Sequence, residues 1–320
     1  MTSMLGCSRA HERTLHLVAA AAATDVEVLI IGASGVGKEL YARRVHEQSR
    51  RASRPFVAVN CGALPPDLFE NELFGHVAGA FTGARPKAVG LVNEAAGGTL
   101  FLDEIDTLHI ANQVKLLRLI QEKEYRPLGE PRARRVDVRI MAATNADLQS
   151  EIRDGRFRLD LFFRLRVIPI DVAPLKERPE DVPLLFDFFL ERYAMEYGVR
   201  PFVLSRPARA LLHSYHWPGN VRELENCVRF LLCTMPGSTV NVEDLPLLSE
   251  LARSETTVVS AGPFNDAKRA AVLAFERHYL QHALARHGGN IAAAARASGK
   301  HRRAFFELMR RHGLTRSAAG

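Results

Sequence analysis

The stretch "VEVLIIGASGVGKELYARRVHEQS" fixes more of this chain's architecture than any other part of it. Val26 to Ile31 reads as a buried strand, a glycine-rich turn follows, and a helix begins near Lys38. Gly32, Gly37 and Lys38 meet the spacing G-x-x-x-x-G-K in the strand-loop-helix context that the motif requires. Small residues such as Ser34 and Gly35 let backbone N–H groups curl around phosphate oxygens. The helix N-terminus adds partial positive charge, and Lys38 reaches the β- and γ-phosphates. Glu39 stands where Ser or Thr would ligate Mg²⁺, so the metal must lean on water and on acids elsewhere.

Those acids occur in "GGTLFLDEID". Thr99 to Leu102 is a short apolar strand, and Asp103 and Glu104 lie at its end, where open α/β sheets bind ligands. Asp103 suits the Mg²⁺ shell through water, and Glu104 suits the base that orients an attacking water. An acid pair after a strand is otherwise a helix cap, and the upstream glycine loop tips the balance toward chemistry. A third strand, Val136 to Thr144, ends in Thr144 and Asn145, polar groups able to contact the γ-phosphate or the water. The three strands, separated by helical stretches, predict an α/β fold with a mostly parallel sheet and helices on both faces.

With 320 residues, 47% hydrophobic and 25% charged, the chain is long enough for two or three domains. Cys7, Cys61, Cys227 and Cys233 are scattered without a C-x-x-C pair, which predicts neither a disulfide scaffold nor a zinc site and fits a reducing cytoplasm. The apolar run "LHLVAAAAATDVEVLII" is broken by Thr24, Asp25 and Glu27, too short to span a bilayer. No membrane association is expected.

Three further segments carry chemistry. Arg158 and Arg164 flank an apolar segment; a guanidinium there could stabilise a transferring phosphoryl group, often in trans, or the two could be surface arginines beside a core helix. "YHWPGNVRELEN" offers Asn220 as an N-cap and Arg222 in the first turn, where the helix dipole gives a cation nothing and another anion, such as a nucleotide phosphate, is wanted. "FGHVAGAFTGARP" sets Phe81 between Gly79 and Gly83, either a loop made to move or a tight turn whose ring folds into the core.

The net charge of +7 is concentrated at the end of the chain: residues 264–320 hold eleven Lys or Arg against three acids, a balance of +8. A basic patch on one small module is the footprint of a nucleic-acid binder, and a solvated charged helix is the alternative. "RAAVLAFERHYLQHALARH" reads as an amphipathic helix. "GGNIAAAARASGKHRRAFFELMRRHGL" gives Asn290 as N-cap, a small-residue helix, a turn at Gly299 and a basic helix. Two short helices joined through glycine predict a helix-turn-helix whose second member enters the groove, with Lys300, Arg302, Arg303 and Arg310 as DNA contacts; a three-helix dimerisation bundle is the alternative.

Together "GASGVGKE", "ELFGHVAGAFTGA", "GGTLFLDEI", "AATNADL", "FRLDLFFRL", "PLKERPEDV" and "WPGNVRELEN" resemble the bacterial enhancer-binding activators of sigma-54 RNA polymerase, members of the AAA+ ATPases, over almost the whole chain. The resemblance implies an ATPase, with ATP and Mg²⁺ as cofactors and sigma-54 polymerase and enhancer DNA as partners. It implies that Gly79, Ala80, Phe81, Thr82, Gly83 and Ala84 form the loop that engages sigma-54. By the same resemblance Asn60 restrains the catalytic glutamate, Arg158 and Arg164 are fingers supplied by a neighbouring subunit, and Arg222 is a second sensor. Fingers in trans imply a ring, a hexamer in this family. The tail resembles a Fis-type module.

Departures from the family pattern are Ala33 and Val36 in the phosphate loop, Val92-Asn93 for Phe-Glu, Pro127-Leu128-Gly129 after "EKEY", and Ala304 and Leu308 in the last helix. The expected domains are an α/β nucleotide-binding subdomain over 1–170, an α-helical lid over 171–248, a linker over 249–265 and the helix-turn-helix over 266–320. The early position of Gly32 leads to the expectation that no sensor domain precedes it. The expectation is therefore activity without phosphorylation or ligand, restrained by concentration or by an inhibitory protein in trans. The departures at Asn93 and Pro127 raise the alternative of a mixed ring with a paralogue.

Overall fold

Alternation along the strands sets the layers. In the computed structural model of the chain, residues 4–63, 65–79, 88–245, 276, 280, 284, 287, 290–298 and 302–312 are described. Strands β1 (Val28–Ile31), β2 (Phe56–Asn60), β3 (Thr99–Asp103), β4 (Arg139–Thr144) and β5 (Ile168–Asp171) form a parallel sheet in the order β2-β3-β4-β1-β5. Leu29, Leu100, Leu102, Ile140 and Ala142 face one way, onto α3 (Pro66–Phe74), α4 (Ile110–Glu122) and α5 (Leu159–Leu165). Val28, Ile30, Phe101, Met141, Ala143 and Ile170 face the other way, onto α1 (Arg9–Ala22) and α2 (Lys38–Glu47). With both faces covered, every second residue has an apolar neighbour, which is why these strands read as continuous apolar runs. Leu100 is fully buried at the centre, and Leu100→Ala would cost about 2–5 kcal/mol through lost burial and the cavity left behind.

The last strand of the sequence reading is shorter than expected, starting at Arg139 and not Val136. Arg139, itself buried, reaches across to Ala21 O (2.7 Å) and Val26 O (3.2 Å), and so ties the end of α1 to the sheet. Parallel register places Asn60 opposite Asp103 and Ile31 opposite Thr144. The carboxyl ends of β1 to β4 therefore open onto one rim, the crevice where such sheets bind ligands.

Beyond β5 the chain turns helical. α6 (Asp181–Tyr197) stops at Gly198 in a left-handed cap, α7 (Arg206–Ser214) follows, and α8 (Asn220–Thr234) packs on α6. Trp217, buried before α8, donates its indole N–H to Leu212 O at 3.0 Å. These helices and the sheet belong to one unit, Met1–Leu245.

After α3, Gly75–His76 pairs antiparallel with Ala88–Val89. Leu128 secures this stem, donating its N–H to Gly75 O (2.9 Å) and accepting from Val77 N–H (3.0 Å). Gly75 has φ +75°, and a Cβ there would lie 2.4 Å from Ala88 O. Gly79 is in a turn, whereas Ala80, Phe81, Thr82, Gly83 and Ala84 lie outside the described residues.

The second unit is Pro246–Gly320. In it α9 (Ile291–Ala297) is capped by Asn290, whose Oδ1 accepts from Ala292 and Ala293 N–H (both 3.1 Å), as its sequence predicts. α10 (Arg302–Arg311) buries Phe305 and Met309 against Leu280, Ala294 and Ala295. Leu308 packs on the same cluster, which accounts for an apolar residue where a cation is usual. Among the described residues no helix is long and apolar enough to cross a membrane.

Candidate active site

Between β1 and α2 the backbone turns through two left-handed glycines, Gly35 (φ +77°) and Gly37 (φ +95°). Gly35 is required twice over: its φ disfavours any side chain, and a Cβ would sit 2.2 Å from Gly219 O. The turn starts at Gly32 and delivers Lys38 to the first position of α2. Lys38 Nζ donates to Gly32 O (2.9 Å) and Ala33 O (3.3 Å), so its ammonium lies over the loop. Burial pulls the Lys38 pKa below its ordinary value, opposed by the carboxylates of Asp103, Asp106 and Glu104. Glu39 turns aside to pair with Arg43 (2.7 Å) on the exposed surface of α2, which leaves its backbone N–H, not its carboxylate, as its contribution to the loop.

At the end of β3, Glu104 has φ +54°, a left-handed conformation that is costly for a residue with a side chain. Its N–H donates to Asp103 Oδ1 (2.9 Å) and its carbonyl accepts from Thr107 Oγ1 (2.8 Å). The Glu104 carboxylate extends over Gly62, where an added Cβ would lie 2.5 Å from Oε2 and 3.4 Å from Asn60 Oδ1. Asn60 is thus beside Glu104, with Oδ1 accepting from Gly62 N–H (2.8 Å) and Ala63 N–H (3.1 Å). Cys61 below them is buried, and its thiol is pushed up to about 12 by desolvation and the nearby carboxylates, so it stays protonated.

Two expectations need correction. Thr144 does not face the cleft: it is fully buried, donates to Asp106 Oδ1 and accepts from Ala146 N–H, so it orients Asp106 while its neighbour Asn145 lines the cleft. Asn220 does not cap α8. Gly219 holds that position, and Asn220 takes a left-handed φ of +54° that sends its amide inward. There Nδ2 donates to Ser34 O (2.9 Å) and Oδ1 accepts from Leu175 N–H (2.8 Å). One buried amide thereby fastens the glycine loop to the helices. Nearby, Arg222 N–H donates to Gly35 O (3.2 Å), and its guanidinium contacts Ser34 Oγ (3.4 Å).

These residues enclose a cleft of about 740 Å³, with Lys38, Asp103, Glu104, Asn145 and Arg222 on its walls. Arg178 lines it too, buried and 3.7 Å from the buried carboxylate of Asp181. Asp181 accepts from Cys7 N–H (2.7 Å), Ser8 N–H (2.9 Å) and Ser8 Oγ (2.9 Å), drawing the start of the chain against α6. The sequence reading missed Arg178 and Asp181, whose importance arises only from contacts between distant segments. Arg164 is exposed and Arg158 half-buried, and neither lines the cleft; Arg158 pairs with Asp160 (2.7 Å).

A nucleoside triphosphate suits this cleft, with free N–H groups and an ammonium at one end and apolar walls at the other. Among the described residues no three or more His, Cys, Asp and Glu side chains converge as a metal site. Asp103 and Glu104 fit a hard cation that keeps waters and takes its other ligands from phosphates. In the second unit Arg310 is exposed on α10, the side chains of Arg302 and Arg303 are not described, and Lys300 lies outside the described residues.

Residues 4–171 match the family described as Sigma-54 interaction domain, residues 176–260 the AAA+ ATPase lid domain, and residues 272–312 the Fis family of bacterial regulatory proteins. The chain is 44% identical to the nitric oxide reductase transcription regulator NorR1 of Cupriavidus necator, covering 97% of this chain and 63% of that protein. It is 44% identical to the transcriptional regulatory protein ZraR of Klebsiella oxytoca, covering 96% and 68%. With XylR of Pseudomonas putida it shares 50% identity over 75% of this chain and 43% of the relative. It thus spans less than two thirds of NorR1 and XylR. The fold is similar to that of NtrX from Brucella abortus in complex with ATP, with TM-score 0.73 and 35% identity over 98% of this chain and 70% of that one.

Proposed function

Since the chain belongs to the Sigma-54 interaction domain family of AAA+ ATPases, we propose that it binds enhancer DNA and hydrolyses ATP to convert the closed complex of sigma-54 polymerase into an open one. The observation that carries this is the meeting of Lys38, Asp103, Glu104 and Arg222 on one cleft above a glycine loop. The N–H groups of Ser34 to Glu39 bind the phosphates, and Lys38 exchanges its two loop carbonyls for β- and γ-phosphate oxygens. The Glu104 carboxylate orients and polarises the attacking water, and Asn60 limits when it can do so. Arg222 senses the phosphates from the helical side. Asp103, through water, would hold Mg²⁺, which when bound neutralises charge developing on the phosphates.

Because Arg158 and Arg164 do not line their own cleft, they serve the cleft of a neighbouring subunit, and the active form is a ring, six-membered as in the family or mixed with a paralogue. On this proposal residues 1–170 form the nucleotide-binding subdomain, 171–248 the lid, 249–265 a linker and 266–320 the DNA-binding module. Gly79 to Ala84 touch sigma-54, while Lys300, Arg302, Arg303 and Arg310 touch DNA, all in the cytoplasm. Control by a separate inhibitory protein belongs to the same proposal.

The test measures open-complex formation by the purified protein with polymerase carrying sigma-54 or another sigma factor, beside the ATPase rate. Glu104→Gln should bind ATP as the parent does and lose turnover, because the amide keeps the shape without the base. Thr82→Ala should retain substantial hydrolysis and lose open complexes. Equal activity with either sigma factor, or unchanged turnover in Glu104→Gln, would sink the proposal.

A further inference from the structure

In the second unit, α10 turns an aromatic ring toward solvent. Phe306 is 54% exposed, while its neighbour Phe305 is fully buried with Met309 against Leu280, Ala294 and Ala295. At about 100° per residue, Phe305, Leu308 and Met309 share the face that meets the core of the unit, which leaves Phe306 outside that cluster. Packing within the unit therefore gains little from a large apolar side chain at this position. A ring held in water on an otherwise charged surface calls for a partner.

Its surroundings on the helix say which partner fits. Residues three and four apart are neighbours on a helix surface. For Phe306 these are Arg302, Arg303 and Arg310, with Met309 turned to the core. Arg310 and Arg311 are exposed, and Glu307 is the one acid in the sequence of α10. A second copy of this helix would set arginine against arginine and be repelled. A nucleic-acid groove offers the complementary charge in its phosphates, and the major groove of DNA is wide enough to admit a helix. It also holds an apolar feature, the 5-methyl group of thymine, on which apolar side chains pack.

We infer that Phe306 is a specificity-determining residue of α10, its ring packing on the 5-methyl group of a thymine in the major groove. This rests on the DNA-binding proposal above and adds to it the base that the helix selects at one position. Phosphate contacts hold a helix in the groove whatever the sequence, so the cations alone give affinity without choice. The ring gives choice. Against thymine it buries two apolar surfaces together, whereas cytosine would present an amino group that the ring strips of water and leaves unpaired.

The experiment uses the full chain to select its site from a pool of random duplexes, then remakes that duplex with each thymine replaced in turn by deoxyuridine, which lacks only the methyl group. At one thymine or more the parent should bind the replaced duplex about fourfold more weakly. Phe306→Ala should bind the unreplaced duplex about tenfold more weakly and treat it and that replaced duplex alike. On a duplex of unrelated sequence it should bind as the parent does, because the cations remain. Phe306→Leu, still apolar, should keep part of the preference for the methyl group. If no replacement weakens the parent, or if Phe306→Ala keeps full affinity or the same preference, the inference is overturned. An equal loss on selected and unrelated duplexes would overturn it by showing a structural role. A changed subunit number of Phe306→Ala in sedimentation would overturn it by assigning the ring to a contact between copies. Parent protein that enriches no sequence from the pool would refute the DNA-binding proposal itself, and this inference with it.

Discussion

Glu104 holds its place against a local preference. A left-handed backbone costs a non-glycine residue roughly 1–3 kcal/mol, and here it is kept by the Asp103 and Thr107 hydrogen bonds on either side. Glu104→Gly removes that cost, so the variant is expected to melt no lower than the parent while hydrolysing no ATP; calorimetry beside a phosphate-release assay checks both. Two histidines set a pH dependence. Burial depresses the pKa of His46 and of His11, so each is neutral when folded and takes up a proton more readily when unfolded. Their stabilisation is complete above the unfolded value near 6.5 and is lost as pH falls below it, because the unfolded chain then binds more protons. The urea midpoint should therefore fall as pH drops below about 6.5, and His46→Gln should flatten that slope; an unchanged slope would remove His46 from the account.

Asn220 joins two elements that are far apart in the chain. Asn220→Ala strands Ser34 O and Leu175 N–H and should cost about 2–4 kcal/mol, read from urea unfolding, together with a loss of ATP affinity. Asn220→Gly accepts the left-handed backbone but loses both bonds, so it should unfold nearly as early; parental stability in Asn220→Gly would mean that the backbone angle, and not the amide, was what mattered. This residue also marks how far the sequence could be read. The phosphate loop and the Asp103-Glu104 pair were legible because each is a local pattern of strand, turn and charge. Asn220 and Thr144 were placed at the right elements with the wrong contacts, since their partners, Ser34 and Asp106, are chosen by backbone angle and sheet register. Asp181 gave no signal, because its bonds to Cys7 and Ser8 form only once the two ends of this unit are brought together.

At the scale of the whole molecule, charge is uneven between the two units, and the proposed functions follow it. Cutting before Phe264 removes the basic module and should leave ATP hydrolysis while abolishing specific DNA binding; with the intact chain, affinity for DNA should fall steeply with salt as counterions are released. DNA binding by the shortened protein would refute the helix-turn-helix assignment. Hydrolysis per subunit should rise cooperatively with protein concentration as rings assemble, and a flat profile would argue against fingers supplied in trans. The stem formed by Gly75–His76 and Ala88–Val89, clamped by Leu128, bears on how such a protein can be re-engineered. Its backbone pairing closes the insertion at its base through main-chain hydrogen bonds. On the proposed function, a foreign peptide of equal length in place of residues 80–87 should leave ATP hydrolysis running, which would aim the motor at a client of the experimenter's choosing.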